Sequence, residues 1–334
     1  MKATIKDIAK LVGVSPSTVS RVINGTASIS DETKEKINKA MKELDYHPNS
    51  FARSLVNGNT FTIGLVIDAG NKDAFSNAFF IQSVTAIEMV AQNKGYNVLI
   101  TNDAVAEEGN TIKSLIQERK VDGIILPVQC MKDELVAILR ENQMPFVVMG
   151  ETVEENKEIS WVDVDNRQGA ELALEHLFAE GYQHPMLLVE NRKTVFEQKR
   201  MKGFTEGCGR HGIKDAKIHT FQEAKLQEII KEIKSGERNT DSFICTNNVV
   251  AFRTLRELQL HGIDVPGQVG VITFDNYPLA EYMTPALSAI DIDTYQLGEM
   301  AASMLFQMIK TKEGKVESQR IETRIIERES TRKK

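Results

Sequence analysis

The sequence has few of the features that disulfide frameworks, zinc sites and membrane spans require. Its 334 residues include three cysteines, Cys130, Cys208 and Cys245. They are far apart and odd in number, which argues against both a disulfide framework and a cysteine zinc site. No window approaches the roughly eighteen uninterrupted apolar residues of a membrane-spanning helix. The first ten residues, MKATIKDIAK, carry charges where a secretory signal has an apolar run. These absences predict a cytoplasmic protein with no membrane partner.

Motifs that carry catalysis are also lacking. There is no P-loop and no G-x-S-x-G, and the six histidines never fall at zinc-ligand spacing. Residues 207–212 read G-x-G-x-x-G, but they follow a helical segment rather than a strand. We therefore expect these glycines to end a helix and not to bind a pyrophosphate. The sequence predicts no catalytic site, no cofactor and no metal, and hence a protein that is not an enzyme.

Charge is distributed unevenly along the chain. The total is −6, but residues 1–60 hold nine Lys/Arg and six Asp/Glu, which gives +3 and leaves −9 for the remainder. The length and an apolar content of 41% fit two or three folded units of ordinary globular composition. A small basic unit on a large acidic one permits local contact with phosphate while the acidic part avoids non-specific adhesion.

The pattern of the first 46 residues predicts three short helices. The first follows Thr4 and ends at Gly13, the second begins at Ser15-Pro16, and the third begins at Ser30. Two short helices joined by a tight glycine-containing turn form a helix-turn-helix, whose second helix enters the major groove of DNA. The outward side of the second helix carries hydrogen-bonding side chains that reach base edges and phosphates: Ser17, Thr18, Ser20, Arg21 and Asn24.

The following stretch, YHPNSFARSLVNGNT, predicts a helix of only two turns from Asn49 to Val56. A helix that short is marginal in water without a partner. Two interpretations stay open. The segment is either a linker that packs on the rest of the protein, or a hinge that folds when two copies meet in a DNA minor groove and Leu55 opens a base step.

The segments TIKDIAKLVGVSPSTVSRVING and YHPNSFARSL resemble the head and hinge of the lactose-repressor/purine-repressor family of bacterial transcription regulators. The likeness continues through the whole chain. It implies that residues 15–24 form the recognition helix, that residues 49–56 form the hinge helix and that Leu55 intercalates. The candidate DNA contacts are Thr4, Ser15, Pro16, Ser17, Thr18, Ser20, Arg21, Asn24, Asn49, Ser50, Arg53 and Leu55.

From Thr60 onward, nine short apolar runs alternate with helical segments. This alternation indicates parallel sheets covered on both faces, in two doubly wound lobes or a TIM barrel. The resemblance favours two lobes similar to periplasmic sugar-binding proteins, with the chain crossing near 160 and again near 290. We expect an α/β fold with a helix-turn-helix domain at 1–47, a hinge helix and linker at 48–59, and an effector-binding and dimerisation domain at 60–334. Within it, lobe one covers about 60–160 plus 293–318, and lobe two about 161–292 plus 319–330.

Ligands of doubly wound sheets bind beyond the carboxyl ends of the strands, so polar residues there are candidate contacts. The resemblance singles out Arg200 of an Arg-x-x-Gly-Phe motif, Asp275 and Asn247 as effector contacts. The usual Asn-Asp pair of the family is Asn247-Asn248 here, and its Asn-Pro-Phe-Phe segment is NAFF at 77–80. Asp, Asn and Arg side chains suit sugar hydroxyls.

An aromatic side chain, Trp161 or Phe79, could cover the apolar face of a pyranose, although Trp161 fits a core position equally well. The complete set of candidate effector contacts is Asp68, Phe79, Trp161, Arg200, Asn247 and Asp275.

The expected function is that of an effector-responsive repressor of carbohydrate genes. A homodimer would bind a palindromic operator, and a small neutral sugar would bind between the lobes. The segment DAFSNAFF is similar to maltose-type members of the family, and the ending IIERESTRKK lacks the leucine heptads of tetrameric members. Two alternatives stay open: a catabolite regulator of the same family controlled by a phosphorylated carrier protein, and a sugar-binding transport protein, which would carry an export signal and no helix-turn-helix.

Overall fold

The computed structural model describes residues 3–24, 29–46, 58–68, 78–102, 111–153, 158–312 and 314–333. The helices are α1 Ile5–Val12, α2 Pro16–Asn24, α3 Asp31–Glu43, α4 Ala78–Asn93, α5 Thr111–Gln117, α6 Asp133–Glu141, α7 Asn166–Ala179, α8 Val195–Arg210, α9 Glu223–Ser235, α10 Asn248–Leu260 and α11 Thr294–Thr311. The strands are β1 Thr62–Ile67, β2 Asn97–Asn102, β3 Gly123–Pro127, β4 Phe146–Met149, β5 Trp161–Val164, β6 Pro185–Val189, β7 Lys217–Thr220, β8 Ser242–Cys245, β9 Gly270–Phe274, β10 Ser288–Asp291, β11 Gln319–Ile321 and β12 Arg324–Ile326.

The three predicted N-terminal helices are confirmed, and they enclose a core of their own. Ile8 of α1, Val19 of α2 and Ile37 of α3 are fully buried in it. Gly13 ends α1 at a φ of 75°, a left-handed conformation that favours glycine, and this turn sets α2 across α1. The predicted hinge helix at 49–56 lies outside the described residues.

The remainder of the chain forms two lobes, each built on a six-stranded sheet. The strand order is β2-β1-β3-β4-β5-β11 in the first lobe and β7-β6-β8-β9-β10-β12 in the second. The paired strands are parallel except for β12, which runs antiparallel to β10. The central strands are buried on both faces because helices cover them, so their sequences are nearly continuous apolar runs. The predicted α/β architecture of doubly wound parallel sheets is confirmed.

The chain crosses between the lobes after β5, after β10 and after β11. We expected the second lobe to begin at about Trp161 and to include 319–330, and both boundaries lie a few residues later. β5 pairs with β4, and β11 pairs with β5, so both strands belong to the first sheet. Their side chains explain the placement, because Val162, Val164 and Ile321 are buried in the core of the first lobe.

The glycines of residues 207–212 do not all end a helix, and that expectation was wrong for two of them. Gly207 and Gly209 lie inside α8, and only Gly212 follows it with a positive φ. Gly207 allows α8 to approach α7 closely, because a Cβ there would lie 2.5 Å from Cδ2 of Leu174. Among the described residues, no helix is both long enough and apolar enough to cross a membrane.

Candidate functional site

A cavity of about 420 Å³, here called the cleft, lies between the two lobes. It is placed at the carboxyl ends of strands from both sheets, where doubly wound folds bind ligands. The first lobe lines it largely with apolar side chains: Leu65, Val66, Ile67, Phe80, Pro127, Val128, Met149, Val164 and Leu297. The second lobe contributes Phe196 and a set of polar side chains: Asn166, Glu190, Arg200, Thr246, Asn247 and Asp275.

Arg200 of α8 is the central cation of the cleft and is only 5% exposed. Its Nε donates to Oδ1 of Asn166 at 2.8 Å, and its Nη1 donates to the carbonyl oxygen of Thr246. The guanidinium lies over the ring of Phe274, 3.9 Å from the ring centroid. Burial lowers the pKa of Arg200, and the charges of nearby carboxylates oppose this shift. The guanidinium is therefore held rigidly from three sides.

Three carboxyl groups are close enough for their charges to stabilise the charged form of Arg200: Asp163, Glu197 and Asp275. Burial raises the pKa of each of them, and the positive charge of Arg200 opposes the rise. Asp163 accepts hydrogen bonds from the backbone N–H groups of Glu151, at 2.9 Å, and Val164, at 2.8 Å.

Asp275 differs from the other two in what its carboxylate contacts. It follows β9 with a φ of 68°, a left-handed conformation that Asp adopts more readily than most residues. The residue is partly exposed, but its Oδ1 is closed to solvent and has no hydrogen-bond partner among the described residues. Such an acceptor destabilises the protein unless a donor reaches it.

Asn247 caps the start of α10 and donates a hydrogen bond to Glu190 of the cleft. Its Oδ1 accepts from the backbone N–H of Val250 at 2.9 Å, which caps the helix. Its Nδ2 donates to Oε2 of Glu190 at 2.8 Å. The amide therefore positions Glu190 at the end of β6.

Of the sequence-predicted effector contacts, the structure brings Asp68, Arg200, Asn247 and Asp275 together in the cleft wall. The side chain of Phe79 lies outside the described residues. Trp161 does not line the cleft. It is the first residue of β5, at the opposite end of the strand from the cleft, and it packs on the core of the first lobe. Its position favours the core interpretation.

Sequence reasoning missed several polar residues of the wall: Glu151, Asp163, Asn166 and Glu190. Glu190 follows β6 directly and Glu151 follows β4 after Gly150, so the rule of polar residues at strand ends could have found both. Asp163 gave a different signal, because it is an acid inside a strand that is otherwise apolar.

A second functional surface is the outward side of α2. Ser15, Pro16, Ser17 and Arg21 are exposed, Thr18 and Ser20 are half-buried, and Asn24 ends the helix. Ser15 Oγ accepts from the backbone N–H of Thr18 at 3.1 Å and so caps α2. α2 contains no acidic residue, whereas lysines of α3 pair with α3 acids, as in the 2.8 Å contact of Lys34 with Asp31.

The other candidate DNA contacts lie near α2 in sequence or outside the described residues. Thr4 is exposed at the start of α1, where its N–H and its hydroxyl donate to Oδ2 of Asp7 at 2.8 and 2.7 Å. Asn49, Ser50, Arg53 and Leu55 of the predicted hinge lie outside the described residues, so their roles stay predictions.

Comparisons with known proteins match both parts of the chain. Residues 4–49 match the family described as bacterial regulatory proteins, lacI family, and residues 174–331 match the periplasmic binding protein-like domain. The HTH-type transcriptional regulator MalR of Streptococcus pneumoniae is 32% identical, covering 92% of this chain and 93% of the relative. The HTH-type transcriptional repressor PurR of Vibrio parahaemolyticus is 30% identical, covering 99% of each. A solved complex of the transcriptional regulator CelR with cellobiose is 25% identical, with a TM-score of 0.71, covering 98% of this chain and 99% of the other.

Proposed function

The chain belongs to the lacI family of bacterial regulatory proteins, and from this premise we propose that it is a repressor of carbohydrate genes. It binds a palindromic operator as a homodimer, and a small neutral sugar in the cleft changes its affinity for that operator. The relatives described above carry the names of transcriptional regulators and not of enzymes.

The observation that carries the effector proposal is that Asp275 and Arg200 both line the second-lobe wall of the cleft. Asp275 Oδ1 is a buried acceptor in need of a donor, and Arg200 is a fixed, buried donor group. Neighbouring hydroxyl groups of a sugar can donate to the carboxylate and accept from the guanidinium. The apolar residues of the first lobe face this polar wall and suit the C–H face of a sugar ring.

A neutral α-glucoside of the maltose type is the proposed ligand. The name MalR of the 32% identical relative and the cellobiose in the CelR complex support a glucose disaccharide.

Exposed apolar side chains support the homodimer. A crevice between the lobes is lined by Gln82 of the first lobe and by Asn248 and Pro278 of the second. The residues next in sequence, Ile81, Val249 and Leu279, are large, apolar and exposed. Exposed apolar side chains on both lobes suit a self-complementary contact with a second copy. Effector binding would change the closure of the lobes and thereby the spacing of the two hinges.

A sugar panel scored by thermal shift tests the effector, since a true ligand stabilises by mass action. We expect maltose or a related neutral glucoside to raise the melting temperature of the wild type and not that of Asp275→Ala. The exposed Asp215→Ala is the matched control and should respond like the wild type. Binding of a nucleobase, a sugar phosphate or a phosphorylated carrier protein, with none of any neutral sugar, would contradict the proposed ligand class.

Fluorescence anisotropy with labelled operator tests the head. Arg21→Ala should weaken specific binding by about 1–3 kcal/mol and relax specificity at one base position. An equal loss on all sequences would instead make Arg21 a phosphate contact.

Leu55→Ala should reduce operator affinity and DNA bending together, because a wedge residue opens the base step at which the DNA bends.

A further inference from the structure

Glu151 stands where the cleft meets a cluster of charges. The residue follows β4, lines the cleft and is buried. Its Oε1 lies 2.8 Å from Nζ of Lys199 in the second lobe and 2.8 Å from Nη2 of Arg320 in the first lobe. Nε of Arg320 also donates to Oε2 of Glu151 at 3.2 Å. One carboxylate at the cleft thus pairs with two cations that belong to opposite lobes.

Contacts other than those of the Glu151 carboxylate also hold this cluster in place. The backbone N–H of Glu151 donates to Oδ2 of Asp163 at 2.9 Å, which holds the backbone of Glu151 between β4 and β5. The Arg320 guanidinium lies over the ring of Trp161, 5.1 Å from the ring centroid. Trp161 therefore holds Arg320 in place from outside the cleft. Arg320 should therefore stay next to the cleft when the carboxylate is neutralised.

The remaining charges of the wall are mostly negative. Apart from Glu151, the charged residues that line the cleft are Asp68, Asp163, Glu190, Arg200 and Asp275. Arg200 already donates to Asn166 and Thr246 and faces three carboxylates. An anionic ligand would meet repulsion from the acids, and the two cations next to the cleft are paired with Glu151.

We infer that Glu151 determines the charge class of the effector, because its carboxylate occupies Lys199 and Arg320 and so excludes phosphorylated sugars. The inference rests on the proposed function as a sugar-responsive regulator and names the residue that restricts the ligand to neutral sugars. Burial raises the pKa of Glu151, but hydrogen bonds from Arg320 and Lys199 lower it below its usual range. The carboxylate therefore stays charged at neutral pH. Neutralising it changes the net charge of this cluster from +1 to +2.

Isothermal titration calorimetry with glucose 6-phosphate, at neutral pH and fixed ionic strength, tests the inference on the full-length protein. Glu151→Gln should bind glucose 6-phosphate at least about tenfold more tightly than the wild type. Glu158→Gln is the matched control, since it removes one negative charge from an exposed residue before β5. It should bind no better than the wild type. The double variant Glu151→Gln/Lys199→Met restores the charge of the cluster and should lose the gain.

Two outcomes would overturn the inference: equal affinities of Glu151→Gln and Glu158→Gln for glucose 6-phosphate, or a gain that persists in the double variant. If Glu151→Gln fails to fold by circular dichroism, Glu151→Ala is compared with the same controls. A parallel titration with maltose separates this inference from the proposed function. Absence of any neutral-sugar binding to the wild type contradicts the proposed function, whereas the phosphate series reports on Glu151 alone.

Discussion

The two lobes have the same strand order but line the cleft with different mixtures of side chains. In each sheet, the strand that comes first in the sequence lies second from one edge. The strand at the other edge comes from the C-terminal part of the chain. Yet the first lobe presents chiefly apolar side chains to the cleft, whereas the second presents chiefly polar ones. Topology therefore determines where a ligand binds, and the residues that follow each strand determine which ligand it is.

The largest effect is expected when the second lobe loses its central cation, Arg200. Arg200→Met keeps much of the side-chain volume but leaves Asp163, Glu197 and Asp275 without their shared positive charge. Removing one partner from a buried charged group costs about 3–5 kcal/mol. We expect a loss of this size in the free energy of urea-induced unfolding, together with loss of the sugar-induced thermal shift.

The exposed Arg192 of the same lobe provides the control, because it bonds only to Thr220 and the carbonyl of Ile218 at the surface. Arg192→Met should cost less than about 1 kcal/mol. Equal losses in the two variants would mean that Arg200 has no special role in the second lobe.

A glycine in each lobe allows a matched test of packing. Gly203 of α8 faces the carbonyl oxygen of Arg167 on α7, and Gly298 of α11 faces the carbonyl oxygen of Ser83 on α4. A Cβ at either position would overlap that oxygen, so Gly203→Ala and Gly298→Ala should each destabilise the protein by about 1–3 kcal/mol in urea unfolding. Gly203→Ala should also weaken sugar binding, because it moves the helix that carries Arg200.

Gly209 serves as the internal reference for this pair. It lies inside α8 with no atom near the position of an added Cβ. Gly209→Ala should therefore stabilise the helix by about 0.5–1 kcal/mol. A similar loss of stability at positions 203 and 209 would show that helix propensity, and not close contact between helices, determines the result.

Asp275 predicts a pH dependence confined to the second-lobe wall. Because burial raises its pKa in the folded state, the wild type loses stability relative to Asp275→Asn as the pH rises through that pKa. The stability of the wild type relative to the variant should therefore fall as the pH rises from about 4, the pKa of an unfolded Asp, to 8. Urea unfolding over this range measures it. Asp31→Asn in the head should show the opposite trend, since a hydrogen bond from Lys34 lowers the pKa of Asp31.

The smallest effect is expected from a polar substitution in the apolar wall. Val128→Thr adds a hydroxyl to the first-lobe side of the cleft. We expect sugar affinity to fall by about fivefold, roughly 1 kcal/mol. The bound sugar would cover the new hydroxyl, which then loses its hydrogen bonds to water. Val153→Thr, on an exposed residue outside the cleft, should leave the calorimetric affinity unchanged. A gain in affinity for Val128→Thr would contradict the division between an apolar and a polar wall.

The sequence predicts the central strands and their polar ends because a buried parallel strand is an unmistakable apolar run. FTIGLVI and VGVITFD are examples, and Asp68 and Asp275 follow them into the cleft. The edge strands β7, β11 and β12 escaped prediction because they are short and polar, and most of their residues are not fully buried.

The side chains that meet across lobes were harder to predict. Phe196 and Glu197 lie on α8 before the Arg-x-x-Gly-Phe motif, and no motif assigned them to the site. The contact of Glu151 with Lys199 joins residues from different lobes, and no pattern within either segment indicates it. Trp161 was ambiguous for a related reason, since a strand pattern does not state which end of the strand meets the ligand.

The three crossings between the lobes have a consequence for synthesis on the ribosome. The first lobe needs α11, which packs on α4 and on strands β3, β4 and β5, yet α11 begins roughly 130 residues after β5 ends. At roughly 5–20 residues per second, the sheet waits on the order of ten seconds with that apolar face uncovered. The N-terminal three-helix unit has its own core, so it can fold as soon as it emerges. Nascent chains should therefore acquire a folded DNA-binding head well before the lobes that regulate it, and chaperones should engage the chain chiefly during that interval.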